Sequence, residues 1–232
     1  MFLHLGLCIL PIPYFTLFLL FLLIKLFFLK EKFGYDFEDK NQLNDWQVLG
    51  EAKWEVKDGV LVCNEPAGTR QQQRLELKDI IFTDGTIEFK LKWISGTYLE
   101  GGVFYRLQDD NNWYNTHLSN VEQSDRWMAY VNGVLDWTPV NLAKGLAKET
   151  WYELKVEASG NSHKVWVDGK LLHEKKHDQF KKGKVAIGTW SAVIENWHLD
   201  DFRINGVGIS PDAAINRQGK LTTTWGDIKG AP

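Results

Sequence analysis

Seven residues between positions 106 and 190 carry side chains suited to gripping polyhydroxylated rings: Arg106, Gln108, Trp113, Asn115, His117, Tyr130 and Trp190. Aromatic faces pack against apolar C–H surfaces, while amide and guanidinium groups pair with hydroxyls. Strand alternation predicts how they are displayed. In GVFYRLQ (102–108), Val103, Tyr105 and Leu107 turn inward and Phe104, Arg106 and Gln108 outward. WYNTHL (113–118) buries Tyr114 and Leu118 and presents Trp113, Asn115 and His117. RWMAYV (126–131) buries Trp127, Ala129 and Val131 and presents Arg126, Met128 and Tyr130. Gly188 alternates with Trp190 and leaves room beside that ring. The expected product is one outward surface for a sugar.

A second constellation is acidic. Asp36, Glu38 and Asp39 open the folded region, and Asp200 and Asp201 close it. If the first and last strands are neighbours, Glu38, Asp39, Asp200 and Asp201 could share a structural calcium ion, which takes six to eight oxygens. The plainer reading has Asp39 start a turn and the two aspartates cap an edge strand. Retaining glycoside cleavage needs carboxyls about 5–5.5 Å apart, and inverting cleavage about 6.5–9.5 Å. Asp109-Asp110 and Asp200-Asp201 are adjacent pairs, so each sends its two acids to opposite faces. Glu122 and Asp125 read as loop residues. His173 and His177 fall on a strand and a loop, so their spacing is not the helical zinc pair, and they read as surface residues. Cys8 and Cys63 are the only cysteines and lie far apart, which excludes an intradomain disulfide and a Cys-based zinc site.

The elements that position these residues follow from composition. The chain has 232 residues, 11 Trp and a formal net charge of −3. The first 24 residues contain no Asp, Glu, Lys or Arg, and every tryptophan lies at position 46 or later. Phe2–Ile24 is long enough to span a bilayer, and no small-residue cleavage site precedes Phe33. Residues 1–32 are thus expected to be a transmembrane or signal-anchor helix, engaging the membrane through residues 2–29. Lys25, Lys30 and Lys32 after the run would place the body in the cytoplasm by the positive-inside rule. Trp-rich sandwiches are more often exported, and an extracytoplasmic, membrane-anchored domain is the favoured expectation. The acidic balance argues against nucleic-acid binding.

Residues 33–205 read as strands and turns. TIEFKLKW (86–93) and WYELKVEA (151–158) alternate strictly, the mark of antiparallel strands with one wet face. Asp58-Gly59, Asn132-Gly133 and Asp168-Gly169 suit tight hairpins. Many short strands with regular turns imply an all-β antiparallel sandwich of the jelly-roll kind. Residues 206–232 read as a linker and tail.

The order of signals resembles the concanavalin A-like lectin/glucanase superfamily, and within it laminin-G-like jelly rolls and bacterial 3-keto-disaccharide hydrolase-type domains. The residues that carry the likeness are YDFED (35–39), WEVKDGVL (54–61), GGVFYRLQDDNNWY (101–114), ETWYELKVEASGN (149–161), KVWVDGKLL (164–172) and GKVAIGTWS (183–191) with WHLDDFRI (197–204). The resemblance implies two stacked antiparallel sheets, one concave. The E-x-D-x-x-E strand of the superfamily's glucanases is absent, as is the E-x-Q-I-x-D stretch of the hydrolase domains. The expectation is therefore a non-catalytic carbohydrate-binding jelly roll. The alternatives are a glycoside hydrolase of the 3-keto-disaccharide type, using Arg106 and His117, and a laminin-G-like protein-interaction module.

Overall fold

The computed structural model describes residues 32–64, 72–97, 99–189 and 195–207. The predicted leader, the tail beyond Val207 and Trp190 lie outside the described residues. Among the described residues, no helix is long and apolar enough to cross a membrane.

Alternation works as expected in the strands that build the core. In β6 (Asp84–Gly96), Ile87, Phe89, Leu91 and Trp93 are buried; in β11 (Trp151–Ser159), Tyr152, Leu154, Val156 and Ala158 are buried. These two strands pair with each other in an antiparallel sheet of eight. The rest of that sheet comprises β1 (Lys32–Tyr35), β3 (Lys53–Lys57), β4 (Val60–Asn64), β12 (Ser162–Val167), β13 (Lys170–Lys176) and β15 (Glu195–Val207). As expected, the first and last strands, β1 and β15, are neighbours.

Among the described residues the second sheet has seven strands in the order β10-β9-β8-β7-β14-β5-β2. These are β2 (Trp46–Leu49), β5 (Gln73–Leu77), β7 (Gly101–Asp109), β8 (Asn112–Ser119), β9 (Ser124–Val131), β10 (Val134–Asn141) and β14 (Lys184–Thr189). Tight turns join several neighbours. In the β12–β13 turn Asp168 and Gly169 take φ of 50° and 74°, the paired left-handed geometry that an Asp-Gly hairpin provides. The two sheets enclose one apolar core, in which Trp127, Trp197 and Phe202 are almost wholly buried. Trp54 is only half-buried and packs edge-on against Trp197 at 5.5 Å.

Between the sheets runs a polar network that alternation alone did not lead us to expect. Asp125 is fully buried on β9, not in a loop, and accepts from Thr116 Oγ1 at 2.8 Å. His173 Nε2 of β13 lies 3.0 Å from Asp125 Oδ1, with neither side chain exposed. His163 lies between Tyr105 OH at 3.1 Å and the His177 carbonyl at 2.9 Å, and Trp127 Nε1 donates to the same Tyr105 hydroxyl. His177 Nδ1 meets Tyr114 OH at 2.7 Å. His173 and His177 are thus not surface residues: one is buried and the other half-buried against Tyr114.

Candidate functional site

Arg106 is the main correction to the predicted surface. It is fully buried, and its φ of 48° marks a bulge where the β7–β14 and β7–β8 registers shift. A bulge inserts one residue and reverses the alternation beyond it. Arg106 therefore leaves the outer face, and Leu107, predicted inward, joins Phe104 there. The guanidinium donates to the carbonyls of Thr83 (2.9 Å), Gly160 (2.9 Å) and Phe180 (3.0 Å) and to Asp84 Oδ1 (2.8 Å). All three of its nitrogens face protein groups at one end of the sandwich, so it clamps loops rather than a ligand.

The rest of the face points as alternation predicted, but much of it is closed. Register places Arg126 opposite His117, His117 opposite Gly102, Gly102 opposite Gly188, and Gly188 opposite Arg74. The next row runs Trp137, Met128, Asn115, Phe104, Ala186, Glu76 and Gln47. Trp113 lies on this outer face yet is fully buried, in a second apolar layer with Phe104, Leu107, Met128 and Ala186. Phe104 meets its ring edge-on at 5.1 Å, and half-buried Tyr130 covers it at 5.0 Å. Trp113 is therefore floor rather than an exposed stacking platform. Nor does Gly188 open a ligand space: a Cβ there would overlap the Gln73 carbonyl oxygen of the neighbouring strand.

His117 and Asn115 are both fully buried. Asn115 Nδ2 donates to the Val103 carbonyl at 3.1 Å, which turns Oδ1 toward His117 Nδ1 at 2.8 Å. That oxygen can only accept, so Nδ1 carries the proton and Nε2 keeps a lone pair with no partner among the described residues. Burial, helped by the positive charge of Arg126, pushes the His117 pKa down to about 3. Arg126 itself is held by Glu122 (2.7 Å) and Glu100 (2.9 Å), with Trp137 against its guanidinium at 5.1 Å. The hydrogen bond from Arg126 holds the Glu122 carboxyl below the usual carboxylate range, the opposite of what a general acid requires.

At the other end of the same sheet lies an open groove of about 700 Å³. Gln47, Leu49, Arg74 and Glu76 of β2 and β5 line one side; Gln108–Asn112 and Asn132 line the other, with Lys184 of β14 between. The tips of two turns are tied together: Gly133 N donates to the Asn111 carbonyl at 3.2 Å, and Asn132 N to Asn112 Oδ1 at 2.9 Å. Gln108, one of the predicted ligand residues, sits here with its amide fixed on the Arg106 and Lys182 carbonyls. Trp113 Nε1 donates to the Asp110 carbonyl at 3.2 Å, so the apolar layer supports the groove rim from beneath. Sequence reasoning missed Gln47, Arg74, Glu76, Asn111 and Asn132. They come from four separate segments that only the sheet order brings together.

The four predicted calcium ligands do not converge. Asp39 accepts from Asn41 N at 2.8 Å and starts a 3₁₀ turn, Lys40–Asp45. Asp201 sits at a bulge in β15 (φ 52°), paired with Lys90 and Arg203, each at 2.8 Å. Asp200 accepts from Asp201 N at 2.6 Å, and burial raises its carboxyl. Glu38 lies against Gly59 instead. Among the described residues, no three His, Cys, Asp or Glu side chains are grouped to hold a metal ion.

With this geometry in place, residues 32–204 match the family described as 3-keto-alpha-glucoside-1,2-lyase-like domain. The chain belongs to that family. The expected concanavalin A-like jelly roll close to 3-keto-disaccharide hydrolase domains is borne out. No curated protein sequence matches. Solved structures share the fold at low identity. The carbohydrate-binding module CBM66 from Bacillus subtilis is 15% identical with a TM-score of 0.59, covering 69% of this chain and 95% of that one. The Bacillus licheniformis beta-glucanase is 16% identical with a TM-score of 0.58, covering 75% and 97%. The catalytic domain of the Thermotoga petrophila endo-1,3-beta-glucanase is 12% identical with a TM-score of 0.56, covering 75% and 96%.

Proposed function

We propose that this domain binds carbohydrate without cleaving it, through the polar groove on its seven-stranded sheet. The observation that carries this reading is the groove itself: side-chain amides and charged groups on two tied turns and on β2, β5 and β14, with one rim supported from the apolar layer by Trp113. Amides both donate and accept, which matches the hydroxyl pattern of a sugar, and a rim fixed before binding limits the ordering cost. Fold relatives described as a carbohydrate-binding module and as glucanases support a sugar ligand. A catalytic reading draws support from the family description and from the lone pair on His117 Nε2. Against it, Glu100 and Glu122 both pair with Arg126. Both oxygens of Glu76 likewise face cations, which leaves neither to protonate a leaving group.

A glycan array separates these readings. The full chain is expected to bind oligosaccharides, and a triple variant, Gln47→Ala, Asn111→Ala and Asn132→Gly, to lose at least about tenfold in affinity. Glycine at position 132 preserves the backbone, whose φ is 49°. Equal binding by wild type and variant would sink the groove as the site. Release of sugar from glycosides or 3-keto-glucosides, abolished by His117→Gln, would replace binding with catalysis.

A further inference from the structure

We infer that the groove selects neutral, hydroxyl-rich glycans and turns away chains bearing carboxylate or sulfate; the inference rests on the glycan-binding reading above. Both cations of its described lining already face carboxylates. Arg74 reaches Glu76 Oε1 at 3.3 Å and Asp110 Oδ1 at 2.6 Å through one nitrogen, and Gln72 through another. Lys184 Nζ lies 2.8 Å from Glu76 Oε2. The Arg74 and Glu76 side chains are each 6% exposed. An incoming anion would have to compete with Glu76 and Asp110 for Arg74, and displacing Arg74 from Glu76 would leave that buried carboxylate with Lys184 alone. The third carboxylate, Asp109, accepts from Asn111 N at 2.8 Å and Asn112 Nδ2 at 2.9 Å and forms no ion pair among the described residues.

Among the described residues of the lining, Glu76, Asp109 and Asp110 therefore outnumber Arg74 and Lys184, and that lining is net negative. The uncharged side chains of Gln47, Gln108, Asn111 and Asn132 are exposed, beside those of Asp109, Asp110 and Lys184. Such a lining rewards hydroxyls and repels fixed negative charge, which is discrimination by unfavourable juxtaposition as much as by attraction. Asp110 is the residue that sets this bias. Its side chain is 81% exposed, so replacing its charge leaves the buried Arg74–Glu76 pair intact.

The test titrates the full chain with neutral β-gluco- and galacto-oligosaccharides, with oligogalacturonate and with a sulfated galactan, at one fixed salt concentration. Wild type should favour the best neutral ligand by about tenfold or more over any acidic one. Asp110→Asn should raise the ratio of acidic to neutral binding several-fold. Acidic chains bound as tightly as neutral ones by wild type would overturn the inference and leave glycan binding standing. An Asp110→Asn variant with unchanged acidic binding would overturn it too. Failure of wild type to bind any glycan would instead remove the reading on which it rests.

Discussion

Replacing Arg106 should cost the fold more than any other single exchange of a surface-predicted residue. Its guanidinium donates four hydrogen bonds of 2.8–3.0 Å, to Thr83, Gly160 and Phe180 carbonyls and to Asp84. Charge-assisted bonds contribute roughly 1.5–3 kcal/mol each when single partners are removed, but such values do not add. Asp84 is about half exposed and can return to water, so its loss is small. The carbonyls that remain, with the cavity left by a fully buried side chain, set the loss for Arg106→Ala at about 3–5 kcal/mol. The backbone supplies an internal control. At φ 48° a Cβ is strained and glycine is not, so Arg106→Gly should be the more stable of the two by about 1 kcal/mol. Urea unfolding followed by tryptophan fluorescence measures both. A loss below about 1 kcal/mol for Arg106→Ala, or a glycine variant weaker than the alanine one, would refute the clamp.

Acid should weaken the domain earlier than its carboxylates alone would require. Burial lowers the His117 and His163 pKa values to about 3 and about 4, from an ordinary 6.5. Each folded value lies below the unfolded one, so stability is complete above about pH 6.5 and declines as pH falls toward 3. Proton uptake by the unfolded chain at His117 alone amounts to about 3 kcal/mol at pH 4. Denaturant midpoints measured from pH 7 to pH 4 should fall accordingly and flatten in His117→Gln; identical curves would dismiss that origin. Gly102→Ala should cost about 2 kcal/mol or more, because its Cβ would lie 2.6 Å from the His117 Cα, and backbone on the adjacent strand cannot yield cheaply. A neutral effect on thermal midpoint would contradict the close approach of β7 and β8.

Alternation carried the sheet interiors and failed where the backbone broke step. Ile87 to Trp93 and Tyr152 to Ala158 kept parity because β6 and β11 pair without a shift between them. Arg106 lost it at a bulge that nothing in GVFYRLQ announces, since φ near 48° is common for glycine or asparagine and not for arginine. The buried polar network was partly legible. Asp125 shares parity with Trp127 and Ala129, and His163 with Val165 and Val167, so both could have been read as inward. His173 could not, because the β12–β13 register shifts between Val165 and Trp166. Trp113 shows the other limit: its direction was right and its exposure wrong. Burial there depends on Phe104, Leu107, Met128 and Ala186 from three neighbouring strands arriving together. The groove depends on the same non-local assembly.

That outer layer makes the seven-stranded sheet apolar on both sides over its central strands, while the polar groups of the proposed groove sit in turns and on β2, β5 and β14 at one end. Scaffold and proposed recognition surface are therefore nearly separate. Residues 109–112 and 132–133 can be rewritten without disturbing either apolar layer, and a library randomised there should retain folded members at high frequency. The same separation gives a lineage of such domains a route to new ligands through a few turn residues, with no change in the barrier to unfolding set by the interior.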